Sequence, residues 1–413
     1  MFRNFFSSTA LVSAVFFLSS TSAVMANQPS ALATPTLKIS GTSSFNSWFF
    51  NNKKKLLRGD RDGSPCKLQR YGRGQLFSVD DSRLRFTVDG KLDTGMEYGL
   101  VFVLDGDPSA GKTSREAYLF AGGSWGKVYL GDTYGVLSTM AFGGWDQWGG
   151  TGFIDGNPDR VVNFTTGAPH SVNLVGDTSR DTKLTYLTPR WEGVQLGVTY
   201  VPRSEHRGEQ TINSITSTVS PKKPFDTDNI SNGVNFIHKF ASGFEMALSA
   251  TSVFAARTHP EIQAAAHRKK TFGYAFGGTF SYSDIGFSVE YGNNNRSREI
   301  KNHKVNAGQF IDFGLSYKWG ATKFSTGYYY AWRKALSDTN TTKRAKTNAV
   351  AAAIDQKLAP GLGVYIEYNY YNMKNRAAKA EAARANVINP CDFTGAVPSN
   401  KANVFIVGSR LVF

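Results

Sequence analysis

DSRLRFTVDGKLDTGMEYGLVFVLDGD, residues Asp81–Asp107, alternates as a β-hairpin must. Leu84, Phe86 and Val88 fall on one face, and Arg83, Arg85, Thr87 and Asp89 on the other. After a turn at Leu92–Gly95, Met96, Tyr98, Leu100, Phe102 and Leu104 alternate with Glu97, Gly99, Val101, Val103 and Asp105. Successive side chains of a strand point to opposite faces, so a period of two sustained over this length predicts two antiparallel strands.

The same plan recurs outward from this hairpin. Upstream, LKISGTSSFNSWFF (Leu37–Phe50) sets Lys38, Ser40, Thr42 and Ser44 against Leu37, Ile39 and Phe45, and a basic polar loop, Asn51–Gly74, follows. Downstream, Arg115–Asp132 turns at Gly122–Gly126, and the segment from Asp181 turns at Pro189–Gly193. Further hairpins turn at Ala241–Gly243, Ser283–Asp284, Trp319–Ala321 and Leu358–Gly361, and KANVFIVGSRLVF ends the chain on Phe413. Tight turns alternate strictly with longer polar loops, and the segments add up to about sixteen strands. Short turns on one rim, long loops on the other and an even strand number describe a transmembrane β-barrel; a soluble sandwich has no reason to keep its long loops on alternate connections. Aromatic clusters near strand ends (Trp48 to Phe50, Trp191, Trp319, Tyr328 to Tyr330 with Trp332, Tyr368 to Tyr371) read as two interfacial girdles.

The start of the chain sets the compartment. Arg3, the apolar run Ala10–Leu18 and the small residues before Ala26 form a secretory signal peptide over residues 1–26, leaving 27–413 as the barrel domain. The apolar run is shorter than the ~20 residues of a spanning helix. Mean hydropathy is −0.31, but alternating strands average out and hide a barrel from such an index. The net charge of +15 would suggest nucleic acid in a cytosolic chain; export removes that partner and leaves channel-lining or headgroup-facing cations. Cys66 and Cys391 both fall in loops, and two readings stay open: a bridge between the first and last loops in an oxidising compartment, or two free thiols.

One stretch escapes both periods. From Gly131 to Asp177 the chain is rich in glycine and aromatic residues, including Phe142, Trp145, Trp148, Phe153 and Phe164. Ordered loops beyond ~12–15 residues are usually functional. Its apolar mass is too great for a disordered tail. Residues 132–177 are therefore expected to pack inside the barrel and narrow its pore.

The passage GSWGKVYLGDTYG (Gly123–Gly135), the hairpin KLTYLTPRWEGVQLGVTY (Lys183–Tyr200) and the terminal VFIVGSRLVF resemble the general bacterial outer-membrane porins, within them the alphaproteobacterial type. Phe413, Leu411, Val407 and Phe405 share one face, like the outer-membrane assembly signal of that family. In place of the acidic PEFGG-like signature of the enteric branch this chain has AFGG (Ala141–Gly144). The resemblance spans the mature chain. It implies an all-β, 16-stranded antiparallel transmembrane barrel with an inward-folded third loop, in the outer membrane of a Gram-negative bacterium. It also implies a homotrimer, contact with outer-membrane lipid and lipopolysaccharide, and delivery by the barrel assembly machinery.

Porins of this type set acidic loop residues opposite a basic wall. That pattern makes Asp146, Asp155, Asp159 and Arg160 the loop candidates here, and Lys38, Arg83, Arg85, Lys127 and Lys183 the wall candidates, with Arg83 and Arg85 foremost by strand parity. Arg410 shares the lumen face near the rim. Charges in a narrow lumen select ions by sign. The histidines show no HExxH spacing, and no GxSxG elbow occurs, so catalysis and cofactors are not expected. The expected function is passive diffusion of small hydrophilic solutes and ions, with a modest anion preference from the Lys and Arg excess. The rivals are a channel selective for an anion or a sugar and a barrel that only anchors a surface or adhesion protein.

Overall fold

The computed structural model describes residues 35–53, 72–106, 114–156, 158–164, 169–204, 207–208, 226–258, 268–299, 305–336, 342–376 and 399–413. The signal segment, Cys66 and Cys391 lie outside them. Sixteen strands run from β1 (Thr36–Asn52) and β2 (Arg73–Lys91) to β15 (Leu362–Asn375) and β16 (Ser399–Val412). Each pairs antiparallel with its sequence neighbours, and β16 pairs with β1 from Thr42↔Val412 to Asn52↔Ala402, closing the barrel. The last residue completes the seam: Gly41 N donates to the Phe413 carbonyl at 2.9 Å, and Phe413 N to that of Gly41 at 3.0 Å. Closure leaves no unpaired edge, the condition for spanning lipid with strands.

Burial is inverted relative to a soluble protein. Phe276, Leu315 and Val350 are 55%, 47% and 45% exposed, whereas Asn229, Asp312 and Thr347 are fully buried. Apolar side chains face outward, and polar ones line the interior. The parity read from sequence holds on β2 for Arg83 and Arg85, which pair with the lumen-facing Thr42 and Ser40 of β1. It holds on β3 (Glu97–Asp105) too, where Val101 and Val103 point inward and Leu100 outward.

Several boundaries differ from the sequence reading. β2 begins at Arg73, within the expected Asn51–Gly74 loop and ahead of the expected strand start at Asp81, and opposite Thr42 to Ser44 of β1 a bulge inserts an extra residue into β2 near Asp81. Asp81 takes a positive φ of 50°, and beyond it outward parity passes from Leu84 and Phe86 to Phe77 and Val79. A bulge re-aims a strand in this way and hides its periodicity. β8 (Asp226–Lys239), β13 (Thr322–Leu336) and β14 (Thr342–Ala359) also run into segments read as loops, because pairing continues past the apolar alternation.

The aromatic clusters divide by parity. Trp191 and Trp319 are 74% and 70% exposed at the short-turn rim, and Phe49, Tyr328 and Tyr368 face outward. Trp48, Tyr329 and Tyr371 do not join a girdle; they are buried inside, and Trp48 Nε1 donates to Ser78 Oγ at 2.7 Å. Adjacent residues of a strand cannot share a face.

An arginine at an outward midplane position tests the orientation of the wall. Phe276→Arg is expected to destabilise the folded barrel by ~2–4 kcal/mol. The urea midpoint of unfolding from lipid vesicles measures it, and an unchanged midpoint would contradict the assignment.

Candidate functional site: the third loop and the lumen

β5 (Gly126–Asp132) and β6 (Thr182–Leu187) are joined by the residues 133–181, which hold a short helix α1 (Val136–Thr139) and single 3-10 turns at Gly144–Asp146, Phe153–Asp155 and Pro158–Arg160. Such a loop carries many backbone polar groups that need partners. It finds them on the lumen-facing side chains, strand after strand. Val136 N donates to Thr199 Oγ1 on β7 (Val194–Arg203) at 3.0 Å, and Phe142 N to Ser249 Oγ on β9 (Glu245–Thr258) at 2.9 Å. Thr279 Oγ1 of β10 (Thr271–Tyr282) donates to Asp146 at 2.6 Å. Gly144 N donates to Asp312 on β12 (Gln309–Trp319) at 2.6 Å, and Gly150 N to Asp355 on β14 at 3.1 Å. Thr151 donates to Glu367 on β15 through N and Oγ1, both at 2.7 Å. Asn52 of β1 brackets Val161 O and Asn163 N, and Arg160 pairs with Asp80 of β2 at 2.7 Å. The loop thus follows the inner wall most of the way round, from β7 to β2.

Carboxylates accepting backbone N–H groups form charge-assisted bonds, stronger than neutral ones. Asp312, Asp355 and Glu367 all do this. The apolar side of the loop packs onto β13 to β16 and β1. Trp148 and Phe153 meet edge to face at 5.0 Å, Phe153 lies 6.0 Å from Tyr371, and Phe164 stacks on His170 at 4.2 Å. Two strand glycines make this approach possible. A Cβ on Gly277 would overlap the Phe142 carbonyl, and one on Gly314 that of Gly144.

What remains open is a cavity of about 660 Å³ lined by loop and wall. Its cations are Arg83, Arg115, Arg180 and Arg410; its acids are Asp80, Asp81, Asp155, Asp177 and Glu290. Arg83 pairs with Asp81, and Arg115 with Asp105 at 3.1 Å. Arg180 is held differently, donating to Tyr134 OH at 3.1 Å with its guanidinium 5.3 Å from the ring. Burial pulls the Arg180 pKa below its usual value, and Arg115, Arg207 and Arg83 pull it the same way, though a guanidinium stays charged. Arg410 lies 5.1 Å from the Tyr365 ring and donates to the Gly150 carbonyl. Asp155 touches solvent, yet protein surrounds it inside the barrel. That desolvation raises its pKa, and the nearby Asp81 and Asp177 add to the shift.

Of the nine charged residues singled out from sequence, Arg83 and Asp155 line this cavity. Lys38 pairs with Asp89 at 3.0 Å near the short-turn rim, and Lys127 sits 4.5 Å from the Phe120 ring close to the Gly123–Gly126 turn. Arg85 meets Glu116 at 3.5 Å. Lys183 is buried and donates to the carbonyls of Thr133 and Ser179, so it ties down the root of the loop. Asp146 joins the loop to β10, Arg160 joins it to β2, and Asp159 is exposed in the same turn as Arg160. Arg115, Arg180, Asp80, Asp81, Asp177 and Glu290 escaped the sequence reading. Glu290 was detectable, alternating with Val289 and Tyr291 on β11 (Ile285–Asn293); Arg180 lies outside any periodic segment and gave no signal. The terminal face reads as expected in placement: Phe405, Val407, Leu411 and Phe413 are all exposed on the outside.

A closed barrel with an apolar outer face and a polar, charge-lined interior has the build of a membrane-spanning channel. The chain belongs to the Gram-negative porin family, whose profile matches residues 9–376. An uncharacterized protein of Rickettsia typhi is 24% identical to it over 320 residues, 63% of this chain and 70% of the relative. Among solved structures it is similar to the trimer form of OmpT, an outer membrane protein of Vibrio cholerae, with TM-score 0.56 and 13% identity. It is also similar to an anion-selective porin from Comamonas acidovorans, with TM-score 0.55 and 13% identity. Each likeness covers 92% of this chain and 100% of the other, and at such identity it shows the fold. The protein is accordingly a multi-pass outer-membrane protein.

The glycine approach predicts a specific defect. Gly277→Val is expected to leave the barrel folded, with the same heat-dependent mobility in detergent gels as wild type, but to push Phe142 off the wall at a cost of ~1–3 kcal/mol. Single-channel records should then differ from wild type in step size and show added noise. Identical records would contradict the close packing.

Proposed function

We propose that this porin passes small hydrophilic solutes and ions by passive diffusion, with a modest preference for anions, after removal of residues 1–26. The observation that carries this reading is the charged cavity of about 660 Å³ between the third loop and the wall, with guanidiniums at Arg83, Arg115, Arg180 and Arg410. The pairs Asp81–Arg83, Asp105–Arg115 and Asp80–Arg160 reduce the field of both partners, which leaves Arg180 and Arg410 as the cations that count most. Arg180 and Arg410 are steadied by tyrosine rings and so keep charge directed at the lumen. In a narrow passage between low-dielectric walls such charges raise the local concentration of counter-ions. Asp155, Asp177 and Glu290 oppose Arg180 and Arg410 across the cavity, which keeps the preference modest. The third loop, residues 132–177, acts as the constriction, and the working unit is a homotrimer, as one similar structure, the Vibrio cholerae protein, is described in trimer form. No step of this function calls for a cofactor or an energy source.

Reversal potential across a salt gradient in planar bilayers tests the sign. Anions are expected to carry more than half the current, and Arg115→Gln with Arg180→Gln should bring the ratio towards unity or below. Cation preference in the wild type would overturn the proposal. Conductance steps in groups of three would support the trimer, and isolated single steps would oppose it.

The pH dependence follows from Asp155. Its pKa is raised, so its negative charge is present above that pKa and lost as pH falls through it, at a higher pH than an ordinary carboxylate requires. Anion preference should therefore grow between neutral and mildly acidic pH, and Asp155→Asn should remove part of that change. A flat profile in the wild type would rule Asp155 out as a pore charge.

A further inference from the structure

Three aromatic rings face the lumen of this barrel, where a polar lining is the rule. On β4 (Ser114–Gly123), Tyr118 and Phe120 oppose the inward Val101 and Gly99 of β3, whereas Leu100, Leu119 and Leu130 point outward. Tyr129 of β5 pairs with Phe120 on one side and with the inward Thr185 of β6 on the other. Tyr118 and Tyr129 meet edge to face at 5.9 Å. Other inward rings, Trp48, Tyr329 and Tyr371, are buried in the cluster that holds the third loop; these three are only half-buried. The loop docks along β7 to β2 and meets β4 at its root, where Thr133 Oγ1 donates to Glu116 at 2.9 Å.

A cation stands at each end of this patch. Towards the long-loop rim, the exposed Arg85 reaches the Tyr118 hydroxyl and meets Glu116 at 3.5 Å. Towards the short-turn rim, Lys127 holds its ammonium 4.5 Å from the Phe120 ring and 5.5 Å from that of Tyr129. The acid that shares its row, Glu97, lies two strands away across Gly122, about 10 Å along the sheet. Strands rise ~3.4 Å per residue, so the patch from Glu116 to Phe120 spans roughly 14 Å. The free polar groups beside the rings are donors, the Lys127 ammonium and the Arg85 guanidinium. The carboxylate in their midst, Glu116, is buried and engaged by Thr133 and Arg85. A sugar asks its site for acceptors as well as donors, whereas a carboxylate asks for donors alone. Ring faces between two cations therefore match a flat apolar solute with an acid group. We propose that this patch is a solute subsite for aromatic carboxylates. The solute ring stacks on Tyr129 and Phe120, and its carboxylate passes from Arg85 to Lys127 on the way down the lumen. The subsite rests on the reading of the barrel as an open pore and adds a substrate class to it.

The test places the full protein in planar bilayers in a chloride electrolyte, adds 2-naphthoate, and reads its half-blocking concentration from the ion current. Acetate supplies the charge alone and 2-naphthalenemethanol the ring alone. Phe120→Leu with Tyr129→Leu removes the aromatic faces while keeping apolar side chains, and heat-dependent gel mobility checks the barrel. Naphthoate is expected to block wild type at a concentration at least about tenfold below either control. The double variant should raise that concentration about tenfold, two stacking contacts being lost, at unchanged chloride conductance and reversal potential. Lys127→Gln should weaken the block by naphthoate and leave that by naphthalenemethanol as it is. Equal block by naphthoate and acetate, or equal block of wild type and the double variant, would overturn the proposal. Glucose blocking as strongly as naphthoate would overturn it too. The anion preference is judged apart, from the reversal potential in chloride alone. Cation preference with a ring-dependent naphthoate block would refute that preference and support the subsite; anion preference without such a block would refute the subsite alone.

Discussion

Every backbone N–H and C=O of the wall must be paired within the protein, because the surrounding hydrocarbon offers no partner. The rest of the molecule depends on this. Strands meet the demand only if the sheet closes, and here the closing seam is β1 against β16, finished by the reciprocal bonds between Gly41 and Phe413. Once closed, the wall spends its outer face on lipid and is free to carry polar groups within. Buried Asn229, Asp312 and Thr347 would be liabilities in an ordinary core; in this fold they face a polar interior.

That polar interior is what makes the third loop tenable. A segment crossing the lumen needs partners for its own backbone, and the strands supply Thr199, Ser249, Asp312, Asp355 and Glu367 at hydrogen-bonding distance. The arrangement is asymmetric. Trp148, Phe153 and Phe164 seal one side of the lumen against β13 to β16, while the charged residues of loop and wall face the open side. Pore shape and pore charge thus have one origin, the way a single loop is docked. A lysine expected to act on ions, Lys183, is instead consumed in that docking.

Legibility followed physical scale. Alternation at Arg83 and Arg85 named their face correctly, since side-chain parity is a local property of any strand. The same rule, applied to clusters instead of single residues, would have separated Phe49 from Trp48 and Tyr328 from Tyr329. The bulge at Asp81 was beyond local reading, because one inserted residue flips parity and erases the pattern that would reveal it. Arg180 and Asp81 entered the cavity unannounced for a related reason. Irregular backbone has no period from which a direction could be drawn.

From the sequence alone came the all-β class, the strand number, the alternation of short turns with long connections, and the outward row Phe405, Val407, Leu411 and Phe413. Each of these is carried by neighbours within a strand or a hairpin, and lipid imposes one sharp rule on such neighbours. Only the tertiary structure decided which charges meet. Asp80 meets Arg160, Arg410 meets the Gly150 carbonyl, and Asp312 meets Gly144 N. Those partners are far apart in the chain. They are joined by barrel closure and by the path of a loop whose backbone obeys no repeating pattern.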